Sequence, residues 1–218
     1  MWFIYSIRIL LILNLVVLGL IGQWLNMVII TSVIAITFIP EVLNKVFHIQ
    51  LTKFMRNFLV IFSMLAQWGG TYLRAYDYIS WWDIFLHGLS AVLVVIAGVV
   101  LLRLIDPEFI LFEKRQYKVI GWFLFMTVSA SAVFWEICEF VGDTFFGTNA
   151  QLGSLVDTME DMIICVVIGA IFVPIVAWSI KYEKDNLIMR QLKAFQALNT
   201  SQEVGERCSV LIIDSKEE

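Results

Sequence analysis

An all-α, polytopic membrane fold, a bundle of about six transmembrane helices with both termini in the cytoplasm, is predicted by three features of the sequence. Hydrophobic residues fill 60% of the 218 positions and the mean hydropathy is +0.85. A water-soluble domain of this length cannot bury so much apolar surface. The apolar residues come in runs of the ~20 needed to cross a bilayer. The lysines and arginines fall almost entirely between alternate runs.

Taken in order, the spans are expected at about 5–24, 27–45, 57–74, 82–104, 118–141 and 157–180. The first run carries a single cation, Arg8, and no small-x-small cleavage site follows it, so it reads as a retained span and not a signal peptide. Pro40, Glu41 and Asn44 blur the end of the second. KVFHIQLTKFMRN, residues 45–57, reads as a short interfacial stretch before the third. Residues 1–180 form the membrane domain on this reading. Residues 181–218 form a cytoplasmic juxtamembrane helix, with Leu187, Ile188, Leu192 and Phe195 at helical spacing, and then a polar tail. Cys138, Cys165 and Cys208 show no paired spacing, which argues against a disulfide framework or a zinc ribbon. Cys138 and Cys165 lie in apolar helices and read as small buried hydrophobes.

Charge orients the chain. Of 15 lysines and arginines, 14 fall on the side shared by the termini and the 2–3 and 4–5 loops, and Arg74 alone falls on the other. The positive-inside rule then places both termini in the cytoplasm of a multi-pass protein of the cell (inner or plasma) membrane.

With that orientation, three helices each bring ionisable side chains to the extracytoplasmic side. Span four enters through WWDIFLHGLS, with Asp83 near its outer end and His87 about 6 Å deeper. Span five ends in FWEICEFVGD, with Glu136 and Glu139 one turn apart. Span six begins in SLVDTMEDMI, with Asp157 and Asp161 four apart. Spacings of three and four put each pair on one helix face. A carboxylate inside a span costs at least ~2.5–3.5 kcal/mol at the bilayer centre. With Arg74 the one cation on this side, the acids either share protons or hold a metal. Histidine with several carboxylates is ligand chemistry for Zn, Mn, Fe or Mg ions. Residue by residue there are blander readings. Asp83 and Asp157 also suit helix N-termini, where free N–H groups favour acids. His87 suits hydrogen-bonded packing, and Asp77, Asp143 and Glu160 suit solvated loops. Glu136 and Glu139 resist this treatment, because they lie near a helix C-terminus, where the dipole disfavours acids. Trp81, Trp82, Tyr72, Tyr76 and Tyr78 read as interfacial anchors. Gly142, Gly147 and Gly153 let the following loop turn tightly.

The motifs D-x-x-x-H (Asp83, His87), W-E-x-x-E (Trp135, Glu136, Glu139) and D-T-x-x-D-M (Asp157, Thr158, Asp161, Met162) resemble those of the YjdF-like bacterial inner-membrane proteins over roughly residues 60–180. A looser likeness links the same layout to VanZ-like membrane proteins. Met159 departs from the polar residue that the first family would have there. The resemblance implies a polytopic bacterial membrane protein and no particular reaction.

Three functions remain open on these residues. One is a metal-dependent enzyme acting on a membrane lipid or polyprenyl phosphate, with Asp83, His87, Glu136, Glu139, Asp157 and Asp161 as metal ligands and Glu139 as general base. The others are a cation- or proton-coupled transporter and a non-enzymatic accessory protein. No motif for nucleic acid is present, and the accessory reading would use the C-terminal helix for a protein partner that the sequence does not identify.

Overall fold

The computed structural model describes residues 2–148, 150–151 and 153–200. Among these, every regular element is a helix. Helix α1 (Trp2–Leu20) is followed by α2 (Trp24–Thr37) and α3 (Ile39–Phe47), which meet at a bend of 44°. The single span expected over 27–45 is therefore broken. Pro40, in the first turn of α3, has no N–H to continue the ladder, and its ring crowds the preceding turn. Helix α4 (Lys53–Ser63) opens at Thr52, whose hydroxyl accepts the Met55 N–H at 3.2 Å, and winds on as a π-helix over Met64–Tyr72. The stretch read as interfacial thus divides among the end of α3, an irregular segment at 48–52 and the start of α4.

Short α5 (Ala75–Tyr78) leads to α6 (Trp82–Ile105), and short α7 (Ile110–Glu113) to α8 (Tyr117–Val141). Helix α8 continues as a π-helical turn over Gly142–Phe146, and α9 (Leu155–Tyr182) follows. A last helix, α10, covers residues 187–200. Among the described residues, four helices are long and apolar enough to cross a membrane: α1, α6, α8 with its π-helical turn, and α9. Counting the bent α2–α3 pair as one span makes five. The stretch expected as the third span is helical but is diluted by Asn57, Gln67 and Thr71 and is not among them.

Helices α6, α8 and α9 pack on one another as the main core, through Ala91, Val95 and Val99, Leu124 and Val128, and Cys165 and Val173. Lipid tails are as apolar as leucine, so such helices associate by close packing. A Cβ added to Gly169 would stand 3.0 Å from the Val128 side chain, which shows how near α8 and α9 come. A second core joins α1 and α2 to the π-helical segment, with Leu11, Leu18, Ile30 and Val33 against Met64 and Trp68. Contacts of α4 with α6 connect the two. Outer faces expose large apolar residues such as Leu13, Trp122, Phe134 and Ile171, as lipid-facing surfaces do. Cys165 is buried, but Cys138 is exposed on such a face, contrary to its reading as a buried hydrophobe.

Helix α10 folds back onto the bundle. Leu192 and Phe195 are buried, and Phe195 meets Phe109 edge-on at 6.1 Å. Ile188 packs beside them, whereas Leu187, one residue out of phase, is exposed. Asn199 is fully buried. Its Oδ1 accepts the Gln50 N–H at 2.8 Å and its Nδ2 donates to the Gln50 carbonyl at 3.1 Å. The polar tail over 201–218, with Cys208, lies outside the described residues.

Asn199→Ala strands both main-chain groups of the half-buried Gln50, a loss of about 1 kcal/mol. In a chain of this size each kcal/mol lowers Tm by roughly 2–4 °C, readable by a thermal scan of the detergent-purified protein.

Candidate functional site

The acids and the histidine converge at the end of the main core where α6 and α9 begin and α8 ends. Antiparallel packing of α8 on its neighbours brings these termini level. Asp83 lies in the first turn of α6, and His87 one turn further on the same face. The His87 Nε2 stands 3.5 Å from Asp83 Oδ1 and 3.7 Å from Asp161 Oδ2 on α9. Ligand atoms of Asp83, His87 and Asp161 all lie within 4.8 Å of one another. A second set, Glu136, Glu139 and Asp161, meets the same limit. Asp161 belongs to both, so the three helices share one site around its carboxylate. Asp161, Glu136 and His87 are buried, with 2%, 5% and 9% of their surface exposed.

Asp157 belongs to neither set. It sits in the first turn of α9, where its N–H is capped by Ser154 Oγ at 3.3 Å. Its Oδ2 is nonetheless buried without a hydrogen-bond partner, one turn from Asp161. Both readings of this residue keep support: a helix-start acid by position, and a carboxylate oxygen still lacking a proton or cation. Glu160 is exposed, and Asp77 pairs with Arg74 at 2.6 Å. Among the described residues no lysine or arginine pairs with Asp83, Glu136, Glu139, Asp157 or Asp161. The spacing suits a cation: oxygen and nitrogen ligands at ~2.0–2.6 Å from an ion stand up to about 4–5 Å apart.

Neighbouring residues orient the set. The Trp135 indole N–H donates to Glu139 Oε1 at 2.7 Å. Gln151, from the α8–α9 connection, reaches back to donate to the Glu136 carbonyl at 3.3 Å and to Glu136 Oε2 at 3.4 Å. The connection holds its shape through Asp143, which accepts from Thr148 Oγ1 at 2.6 Å, from the Ala150 N–H at 2.7 Å and from the Gln151 N–H at 3.0 Å. Asp143 is thus the organiser of the loop and not a merely solvated acid. Gly147 and Gly153 turn there with φ of 68° and 62°, while Gly142 stays right-handed and continues the helix, unlike the turn expected of it. Behind His87, the Cys165 thiol donates to the His87 carbonyl at 3.2 Å and lies 3.9 Å from its Nδ1.

Tyr76, read from the sequence as an interfacial anchor, also belongs here. A Cβ on Gly70 would overlap its ring, so the glycine admits the aromatic ring to the π-helical segment. Desolvation first, then the negative charges of Asp83, Glu139 and Asp161, push the phenol well above its ordinary range and keep it a neutral O–H. Of the residues missed, Cys165 was within reach, because it continues the Asp157–Asp161 stripe by four. Gln151 and Tyr76 carry no such period. Their places depend on loops, and a single chain of letters holds no signal for them.

A groove of about 610 Å³ runs between the end of α8 and the start of α9. Val133, Ile137, Phe140, Leu155 and Met162 give it apolar walls, and Glu136 and Thr158 line it as well. Ile137, Phe140 and Leu155 are themselves exposed on the outer face. The groove therefore connects the lipid-facing surface with one member of the acidic set.

The family described as Predicted membrane protein (DUF2238) matches residues 3–183, and the chain belongs to it. That description fits the likeness to YjdF-like membrane proteins and does not extend to the VanZ-like ones. No curated protein and no solved structure matches the chain.

Crowding of like charges makes this site costly to the fold when no cation is bound. In metal-free protein Asp161→Asn is expected to raise Tm by roughly 2–4 °C, the shift that about 1 kcal/mol produces in a chain of this size. A thermal scan in the presence of a chelator reads it.

Proposed function

We propose that this member of a family of predicted membrane proteins is a metal-dependent enzyme that acts on a lipid or polyprenyl phosphate. The observation that carries the reading is the sharing of Asp161 by two ligand sets with two buried members each, one with His87 and one with two glutamates. The topology that goes with it has six spans, α4 with its π-helical extension as the third, and both termini in the cytoplasm. It is supported by the 14-to-1 sorting of lysines and arginines. The site then faces the extracytoplasmic side, and residues from 181 onward form the cytoplasmic juxtamembrane helix and tail.

Asp83, His87, Glu136 and Asp161 would hold the metal, with Glu139 beside them as the spare carboxylate and Asp157 at the rim. A carboxylate-rich set with one imidazole suits Zn, Mn, Fe or Mg. A divalent ion here supplies charge to neutralise a phosphoryl group. Glu139 is held by the Trp135 indole and is only half-buried, so it is the carboxylate placed to accept a proton from an attacking water. The groove between α8 and α9 supports a substrate with a long apolar tail, because its walls are continuous with the lipid-facing surface. A reaction consistent with these parts is hydrolysis of a lipid phosphomonoester to the alcohol and inorganic phosphate.

Elemental analysis of the detergent-purified protein tests the metal. About one ion per chain in wild type, lost in a His87→Ala/Glu136→Gln double variant that still folds, is the expected result. Wild-type protein kept from chelators and still free of metal would overturn it, and the buried acids would then share protons. That outcome favours cation- or proton-coupled transport, read as flux in proteoliposomes. If the metal is present, Glu139→Gln is expected to lower phosphate release from a polyprenyl phosphate by about 10²–10⁴-fold.

A further inference from the structure

At the opposite end of the molecule, where α1 begins, α2 bends into α3 and α4 starts, lies a second pocket of about 280 Å³. Arg8, Glu41, Asn44, Gln50 and Arg56 are among its lining residues. The two arginines are in different situations. Arg8 is buried and paired: its Nε donates to Thr37 Oγ1 at 3.0 Å and its Nη2 to Glu41 Oε1 at 2.7 Å, while its guanidinium lies 3.8 Å from the centre of the Phe38 ring. Its charge and that of Glu41 offset each other.

Arg56 is half-buried; its side chain makes no hydrogen bond or ion pair among the described residues, and its Nε is buried without an acceptor. A guanidinium edge taken from water with nothing to receive its N–H is costly. Its place in the helix adds to the cost. Arg56 and Lys53 occupy the start of α4, which has no acid in its first turn, and the positive end of a helix dipole disfavours cations. Both costs are relieved by one thing, an anion in the pocket. A planar guanidinium matches a phosphate through paired N–H donors, and the Asn44 and Gln50 amides on the same wall offer further donors.

Helix α3 indicates how such an anion arrives. It is amphipathic and bent away from α2, and it exposes Val42, Val46 and Phe47. As the end of the second span, bent by 44° from α2, it reaches the interface with that apolar face among acyl chains. The pocket behind it is then level with lipid headgroups, on the side of the protein where nearly all lysines and arginines fall. We infer that the pocket holds the phosphodiester of an anionic phospholipid from the surrounding leaflet, paired to Arg56, while the lipid's tails lie along α3. Basic pockets between membrane helices recognise anionic headgroups by this chemistry. The site is remote from the acidic cluster and does not depend on a metal there.

The test titrates the detergent-purified full chain with dioleoylphosphatidylglycerol, with dioleoylphosphatidylcholine and with glycerol phosphate, counting bound molecules by native mass spectrometry. One phosphatidylglycerol is expected to bind at least about tenfold more tightly than phosphatidylcholine. Arg56→Gln should erase that preference, and Lys181→Gln, a cation elsewhere at the same end, should leave it intact. Where Arg56→Gln does not fold, Arg56→Lys decides, because it keeps the charge and loses the paired donors, and a preference smaller than wild type is expected. Equal binding of the two lipids, or a full preference in the Arg56 variants, overturns the inference. So does displacement of the lipid by glycerol phosphate at equal concentration, which would make this a site for a free phosphate anion.

Discussion

The constraint on which the structure turns is that acidic groups have been brought together, largely out of water, with one histidine and, among the described residues, no lysine or arginine to answer them. In an aqueous protein such a set would be diluted by solvent and counter-ions. Between packed helices the field of each carboxylate reaches the next almost unscreened. Asp161 feels this most, because both ligand sets include it and only 2% of its surface is exposed. Any account of the site must therefore supply positive charge from outside the chain, as protons or as a metal. What surrounds the cluster holds it in shape: Trp135 on Glu139, Gln151 on Glu136, and Cys165 behind His87.

The fold serves this arrangement by keeping three helix ends level. Close contact of α8 with α9, permitted at Gly169, sets the distance at which Glu136 and Asp161 face each other. The π-helical winding on either side of the site has a related effect. At Met64–Tyr72 it presents Gly69 to Trp82 and Gly70 to Tyr76, which seats the start of α6. At Gly142–Phe146 it turns Asp143 toward the connection that it organises. Wide turns of this sort recur where a helix must re-aim a side chain near a site.

Much of this was legible in the letters. Helices α6, α8 and α9 begin and end within two residues of the expected spans, because long apolar runs bounded by charge leave little choice. The pairs Asp83–His87, Glu136–Glu139 and Asp157–Asp161 fall on common faces for the same local reason, the helical period. What was not legible depends on the partner across the gap. Exposure of Cys138 and burial of Cys165 follow from which face meets a neighbour, and both helices are apolar all round. The bend at Phe38 needed the effect of Pro40 to be weighed against a strongly apolar α2. Asp157 has the right spacing, yet helix-start geometry draws it away from the two ligand sets.

The tie between Asn199 and Gln50 spans 149 residues. Ribosomes add about 5–20 residues each second, so roughly 7–30 s separate the synthesis of its two halves. Throughout that interval the segment at 48–52 is in place while the helix that satisfies it has yet to be made. The lower edge of the bundle thus stays open, with the Gln50 main chain bound only to water or to a chaperone, until α10 leaves the exit tunnel and docks. A nascent chain stalled before residue 187 would present quality-control proteases with an unfinished edge.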